Sequence, residues 1–182
     1  KTPNNKIIFY HQGHGGDFHK GKEVISKFLD NGYSVVGFSM PLYGFNNKPT
    51  INFPKFGKIK MSRHPQMKFL NPKNGHPLKY FFEPVINVLN YLEKNYTYSH
   101  ISMMGLSGGG WTTTLVSALD TRILNSFPVA GSSPLYLMSN AKSTWGEDYE
   151  ASVPELYRIA NYLELYILGS YGDKRKQVQV LN

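Results

Sequence analysis

The sequence contains no cysteine among its 182 residues. This absence excludes disulfides, thiolate metal sites and a cysteine nucleophile, and it leaves the cellular compartment undetermined. The sequence also lacks any apolar run approaching the ~18 residues that a membrane span needs, and no apolar signal core follows its first residues. We therefore predict no membrane span, while localisation and oligomeric state stay open.

A concentrated basic surface is missing too, although the formal net charge is +8. The lysines are scattered, and the longest basic cluster is Lys174-Arg175-Lys176. No nucleic-acid recognition motif accompanies the charge, so we expect no nucleic-acid partner. The dinucleotide pattern G-x-G-x-x-G and the P-loop pattern are likewise absent.

Apolar runs and helical periodicity alternate along the chain. Predicted strands lie at 7–10, 33–38, 101–106, 123–130 and 177–181, and predicted helices at 24–29, 80–92, 108–119 and 155–168. This alternation predicts an α/β fold, a mostly parallel sheet flanked by helices. We expect a single domain over residues 1–182, with an irregular excursion at 41–79 across one end of the sheet and a lid-like segment at 132–153.

The pattern G-x-S-x-G occurs at Gly105-Leu106-Ser107-Gly108-Gly109. A serine hydroxyl attacks well only when a tight turn exposes it to a base, and the flanking glycines permit such a turn between strand and helix. A predicted strand precedes the motif and a predicted helix follows it. This context indicates Ser107 as a nucleophile, whereas the alternative is a glycine-rich turn with an incidental serine.

A glycine-rich loop, Gly13-His14-Gly15-Gly16, follows the first predicted strand. Its backbone N–H groups can approach a substrate oxygen closely, as an oxyanion hole requires. One donor of such a hole is the N–H of the residue after the nucleophile, here Gly108, and His14 or Gly15 would supply the other. The alternative interpretations are a phosphate-binding glycine loop, whose usual patterns are absent, and a plain turn.

These two segments together, Tyr10 to Gly16 and Met104 to Trp111, resemble the α/β-hydrolase superfamily, nearest to its esterase and peptidase-like members. The resemblance covers most of the chain and implies a three-layer α/β-hydrolase fold. It also implies a Ser–acid–His triad in that chain order, with acyl transfer to water through an acyl-enzyme. No cofactor and no metal is expected for this chemistry.

The histidines depart from the superfamily's chain order, because all six precede Ser107. We expect the chain to be a fragment, inactive alone, whose triad acid and histidine lie beyond Asn182. The competing interpretation is a non-catalytic site or an unusual base.

Acid candidates within the chain are poor. Asp173 would begin the last strand at the wrong edge of the sheet. Asp148, with Glu147 and Glu150, follows the fourth strand and could reach the pocket, and a solvated or substrate-facing lid loop is the expected setting for all three.

The histidines themselves offer a second chemistry. His11, His14 and His19 crowd the glycine-rich loop, so a zinc site is conceivable, but no spacing such as H-E-x-x-H supports it. We expect His64 and His76 to be surface residues of the excursion.

The function predicted from the sequence is hydrolysis of a carboxylic ester or related acyl bond in a small-molecule substrate. A serine peptidase or amidase on the same fold is the near alternative, because pocket shape decides the leaving group. The alternative from another class is a binding protein that kept the fold and lost the triad.

Overall fold

The computed structural model describes residues 4–131, 133 and 148–181. The strands are β1 (Lys6–His11), β2 (Ser34–Phe38), β3 (Thr50–Phe53), β4 (Gly57–Lys60), β5 (His100–Leu106), β6 (Asn125–Val129) and β7 (Lys176–Gln177). The helices are α1 (Lys22–Asp30), α2 (Lys79–Asn95), α3 (Gly108–Leu119), α4 (Pro154–Ile159) and α5 (Tyr162–Ser170). Short 3-10 turns occupy Phe18–Gly21, His64–Phe69 and Glu150–Ser152.

A parallel sheet with the order β2-β1-β5-β6-β7 forms the centre of the fold. From β1 the chain adds β2 on one side and β5, β6 and β7 on the other, so the strand order reverses between β1 and β5. In open α/β sheets, ligands bind at the carboxyl ends of the strands where this reversal occurs. The predicted parallel sheet flanked by helices is confirmed.

The sheet is buried on both faces, as the apolar run of β1 predicts. Ile7 and Phe9 point toward α2, where they pack with Val85 and Leu89. On the opposite face Gly21 lies so close to the ring of Tyr10 that it has no room for a side chain. The core therefore fixes β1, and with it the loop that follows β1.

The prediction of one continuous helix at 155–168 is wrong, because the stretch forms two helices, α4 and α5. Asn161 starts the second helix: its side chain accepts hydrogen bonds from the N–H groups of Leu163 and Glu164. The carboxylate of Glu164 accepts a hydrogen bond from the N–H of Asn161 in return, which completes a capping box.

The excursion at 41–79 is more ordered than its composition predicts. It contains the antiparallel hairpin β3–β4 and the turn His64–Phe69. Its side chains Met61 and Met67 are buried in the same cluster as Trp111 of α3. The excursion is therefore part of the core beside α3, and the prediction of a non-core insertion is wrong on this point.

The last strand is shorter than predicted at 177–181. β7 pairs with β6 over two residues, and a further bridge joins Val129 to Val180. Of the lid-like segment at 132–153, residues 132 and 134–147 lie outside the described residues. None of the described helices has the length and hydropathy of a membrane span.

Candidate functional site

Ser107 occupies a sharp turn between β5 and α3. Its backbone has φ 54° and ψ −123°, a conformation that costs a residue other than glycine about 1–3 kcal/mol. Its N–H donates to the carbonyl of Val129 at 2.8 Å, and its own carbonyl accepts from the N–H of Gly110 at 2.7 Å. The surrounding backbone thus holds the turn, and the Ser107 side chain is only half-buried at the carboxyl edge of the sheet.

The glycines of the motif are required by close backbone contacts around this turn. A Cβ atom on Gly105 would collide with the carbonyl of Gly109, and one on Gly109 would collide with the carbonyl of His11. The glycines of G-x-S-x-G are therefore needed for the close packing of β5 and α3 against the end of β1.

The glycine-rich loop after β1 lies against the same turn. A Cβ atom on Gly13 would lie 2.5 Å from the carbonyl oxygen of Leu106 and 2.8 Å from Cβ of Ser107. A Cβ atom on Gly108 would lie 2.6 Å from Cε1 of His14. The two segments predicted to form one site are therefore adjacent.

The backbone donors of this region are unused within the described part of the chain. The N–H groups of His14, Gly15 and Gly108 donate to no protein acceptor there, whereas the neighbouring N–H groups of Ser107 and Gly110 do. Gly108 is also the first residue of α3, where the helix dipole adds partial positive charge. Such donors can stabilise an anionic oxygen.

The three threonines at 112–114 stabilise the first turns of α3. Each hydroxyl donates to the carbonyl four residues earlier, at Gly108, Gly109 and Gly110 respectively, over 2.8 to 3.2 Å. These hydroxyls are therefore bonded inside α3.

A cluster of three polar side chains lies beside the loop: His14, His64 and Glu150. We call it the His–His–Glu cluster. Nε2 of His14 is 3.0 Å from Nδ1 of His64 and 2.9 Å from Oε1 of Glu150, and Nδ1 of His64 is 2.9 Å from Oε2 of Glu150. His64 and Glu150 are only 2% and 1% exposed. The prediction of a surface His64 is therefore wrong, and of the two predicted settings for Glu150 the solvated one is wrong.

The electrostatics of the cluster follow from this crowding. Burial alone raises the pKa of Glu150, but the contacts with His14 and His64 outweigh burial and lower that pKa to about 2. Burial likewise lowers the pKa of His14, but the carboxylates of Glu150 and Asp148 outweigh it and leave this pKa raised. Glu150 is thus an anion inside the protein, and it attracts cationic groups.

His11 and His19, the other predicted members of a histidine cluster, lie apart from the His–His–Glu cluster. The buried ring of His11 stacks on Phe38, and burial lowers its pKa to about 4. His19 is an exposed residue beside Asp17. No short sequence motif joins residues 14, 64 and 150, so the fold alone reveals their proximity.

The two acid candidates lie at opposite edges of the sheet. Asp148 Oδ1 lies 3.7 Å from Nε2 of His14, on the Ser107 side. Asp173 lies in the turn before β7, among residues at the amino ends of β5 and β6 such as His100 and Asn125. Because the stretch before Asp173 is the helix α5, Asp173 lies at the amino edge of the sheet and cannot reach Ser107 as a triad acid.

A largely apolar cavity of about 520 Å³ lies between the ends of β1 and β2, the excursion and α2. Its lining includes Phe38, Leu42, Met67 and Phe81. The volume is within the ~300–1,000 Å³ typical of small-molecule pockets. Its lining residue Pro41 connects it to the His–His–Glu cluster, because the Pro41 carbonyl lies 2.7 Å from Nε2 of His64.

Comparisons with known proteins show a likeness in structure alone. No protein-family model matches the sequence, and no curated protein matches it. Est1E from Butyrivibrio proteoclasticus, solved with ferulic acid, is 13% identical with a TM-score of 0.55, covering 100% of this chain and 83% of Est1E. A Pyrococcus furiosus esterase is 18% identical with a TM-score of 0.54, covering 97% of this chain and 60% of the esterase.

A third similar structure is the fluorophosphonate-binding serine hydrolase F of Staphylococcus aureus. It is 11% identical with a TM-score of 0.53, and the alignment covers 98% of this chain and 64% of the hydrolase. The chain thus spans less than two thirds of the length of this protein and of the Pyrococcus furiosus esterase.

Proposed function

We propose that the protein containing this chain, which has the α/β-hydrolase fold, is a serine hydrolase that cleaves a carboxylic ester or related acyl bond. One observation carries the proposal. The half-buried Ser107 stands in a strained turn, directly against a loop whose backbone donors are unused. This combination is what acyl transfer through an activated serine requires.

In the proposed reaction Oγ of Ser107 attacks the acyl carbon, and its proton passes to a base. The N–H of Gly108 and that of His14 or Gly15 stabilise the resulting oxyanion. The bond to the leaving alcohol breaks, and the alcohol takes the proton from the base. Water then attacks the acyl-enzyme in the same way, which releases the acid and restores Ser107. No cofactor takes part in these steps.

The base and its acid partner are proposed to lie outside these 182 residues. All six histidines precede Ser107, and His14, the imidazole against the turn, is held by Glu150. In the superfamily that the sequence resembles, the acid and then the histidine follow the serine in chain order. Asp148, which lies beside His14, is the remaining acid candidate within the chain.

The apolar cavity is proposed to bind the acyl or alcohol part of the substrate. Residues of the excursion make up much of its lining. A small-molecule ester is therefore the proposed substrate class, with a peptide or amide as the near alternative.

A fluorophosphonate probe applied to the full-length protein tests the nucleophile. We expect covalent labelling that is lost in Ser107→Ala and retained in Ser62→Ala, a variant of an exposed serine in the excursion. Labelling that survives in Ser107→Ala would disprove the assignment of the nucleophile. No labelling of the folded wild-type protein would favour the non-catalytic binding protein.

The leaving group is tested by comparing nitrophenyl esters with nitroanilides of the same acyl group. We expect the ester to be cleaved faster, and faster cleavage of the anilide would assign the protein to the amidase alternative. Ser107→Ala is the control for both substrates, because a true turnover must disappear in it.

A further inference from the structure

Three distant parts of the sequence meet in the His–His–Glu cluster. His14 comes from the loop after β1, His64 from the turn His64–Phe69 in the excursion, and Glu150 from the turn Glu150–Ser152 after β6. Their polar atoms form a compact group with separations of 2.9 to 3.0 Å between neighbours. Two of the three side chains are almost fully buried.

The three side chains of this group present more hydrogen-bond acceptor atoms to one another than N–H donors. Nε2 of His64 lies 2.7 Å from the carbonyl of Pro41, which can only accept, so Nε2 carries the proton. In the neutral ring, Nδ1 of His64 therefore presents a lone pair toward the carboxylate of Glu150. Three acceptor atoms, Nδ1 of His64 and both oxygens of Glu150, lie near Nε2 of His14, and one ligand atom from each residue lies within 4.8 Å of the other two.

One of these acceptors is left unsatisfied. Oε1 of Glu150 is buried and receives no well-directed hydrogen bond within the described residues, although Nε2 of His14 lies 2.9 Å away. A buried carboxylate oxygen without a partner is destabilising, because it gives up the hydrogen bonds that water would have donated to it. A cation placed among the three side chains would satisfy their lone pairs together.

We propose that His14, His64 and Glu150 bind a divalent transition-metal ion of the zinc class, with Asp148 as the fourth ligand. A tetrahedral zinc ion with bonds of about 2.0–2.1 Å needs ligand atoms about 3.3 Å apart. The neighbouring atoms of the cluster need only separate by a few tenths of an ångström to meet this value. Oδ1 of Asp148 is 3.7 Å from Nε2 of His14 and completes the set.

The chemistry of the ligands selects this class of ion. Two imidazoles with carboxylates suit zinc and its neighbours, whereas calcium and magnesium prefer oxygen ligands throughout. The carbonyl of Pro41 plays the part of the outer partner that orients a metal-binding imidazole and fixes its tautomer. The same contact joins the ligand His64 to the wall of the apolar cavity.

The proposed role of the ion is to fasten three segments over the Ser107 turn. It would join the glycine-rich loop, the excursion and the chain after β6 at one point. Because His14 is both a ligand and a residue of the proposed oxyanion loop, the ion would fix this loop against Gly108. The proposal concerns metal binding, so its test does not require that Ser107 is a nucleophile.

Metal analysis of the full-length protein tests the proposal. The protein is stripped with a chelator, titrated with Zn²⁺ against a competing indicator, and measured for bound zinc. We expect one tightly bound equivalent, and its removal should lower the melting temperature. Substitution with Co²⁺ should give the intense visible absorption of a tetrahedral site, which a merely buried ion pair cannot produce.

The variant Glu150→Gln keeps the volume of the side chain and removes its charge. Removing a residue that only hydrogen-bonds to a metal ligand weakens metal binding by about 10–100-fold. Because Glu150 is a proposed ligand itself, we expect Glu150→Gln to weaken zinc binding by more than this. His19→Ala, at an exposed histidine five residues from His14, is the matched control and should bind zinc like the wild type. Ser107→Ala should also retain its zinc, which separates this result from the fate of the proposed hydrolase.

Two results would overturn the proposal. One is a folded wild-type protein that takes up no zinc at micromolar concentration and shows no tetrahedral cobalt spectrum. The other is equal zinc affinity in the wild type and Glu150→Gln. Either outcome would identify the cluster as a buried ion pair that holds the three segments without a metal.

Discussion

The imidazole of His14 lies against the backbone of Gly108: a Cβ atom there would stand 2.6 Å from Cε1 and 2.8 Å from Nδ1 of the ring. This contact joins the His–His–Glu cluster to the first residue of α3. Movement of the His14 ring would therefore shift both proposed sources of oxyanion donors. It would shift the loop that carries the N–H groups of His14 and Gly15, and it would press on the backbone of Gly108.

The first prediction is that Gly108→Ala slows fluorophosphonate labelling of Ser107 in the full-length protein by at least about 10-fold, which is ~1.4 kcal/mol of the barrier. The substitution keeps the N–H donor, but its methyl group would also meet the side chain of Met40 at 2.8 Å. The His14 ring must move, and Glu150 resists this motion. Labelling rates of the two proteins provide the measurement.

Gly57→Ala is the control for this variant. A Cβ atom on Gly57 meets nothing within 4 Å, so its positive φ of 70° leaves backbone strain as the only cost. We expect its labelling rate to match that of the wild type. Equal rates in Gly108→Ala and the wild type would contradict the contact between His14 and Gly108.

The second prediction concerns stored strain at Ser107. Glycine tolerates a φ of 54° and a ψ of −123° without the roughly 1–3 kcal/mol that other residues incur, against about 0.5–1 kcal/mol for its extra entropy. Ser107→Gly should therefore be about 1 kcal/mol more stable than Ser107→Ala. Urea unfolding of the two variants measures the difference, and a less stable glycine variant would show that the turn carries no strain.

The turn at Ser107 was predictable because its signal is local. Gly105 and Gly109 are required by contacts within the strand–turn–helix unit and with the end of β1, so the pattern in the sequence directly reflects the geometry. The parallel sheet was equally predictable, since β1 and β5 are apolar runs that the core buries on both faces.

The His–His–Glu cluster was not predictable for the opposite reason. Its members are 50 and 86 residues apart in the two pairs that include His64, and tertiary packing alone brings them together. The sequence of the excursion, which carries His64, shows no helical or strand periodicity. Its order comes instead from isolated buried side chains such as Met61 and Met67, which no periodic pattern reveals. The capping box at Asn161 was visible in the sequence and divides the helix that periodicity alone would continue.

The third prediction is a pH dependence set by His11. Burial is the largest cause that lowers its pKa from 6.5 to about 4, so the folded protein favours the neutral ring. The unfolded chain then binds the proton first, and stability falls as the pH drops from 6.5 to 4. The full loss is about 3 kcal/mol at 1.36 kcal/mol for each pH unit.

His11→Asn tests this dependence. Nδ1 of His11 lies 2.8 Å from the carbonyl of Gln12, and the asparagine amide can donate to the same oxygen without titrating. We expect the wild type to lose stability relative to this variant by about 2–3 kcal/mol between pH 7 and pH 4. Urea unfolding at a series of pH values measures it, and parallel stability curves would contradict a buried neutral histidine.

The fourth prediction concerns the apolar cavity as the substrate pocket. Leu70 is a half-buried lining residue at the end of the turn His64–Phe69, and Leu70→Trp would fill part of the space. We expect kcat/KM for a nitrophenyl octanoate to fall at least about 10-fold while that for the acetate stays within twofold, because each lost methylene contact is worth about 1–3 kcal/mol.

Ile159→Trp is the matched control, because Ile159 is 84% exposed at the end of α4 and does not line the cavity. Its ratio of octanoate to acetate turnover should equal that of the wild type. If Leu70→Trp lowers turnover of both esters equally, the cavity contributes to folding or to access and does not hold the acyl chain. If neither ester is affected, the substrate binds outside this cavity.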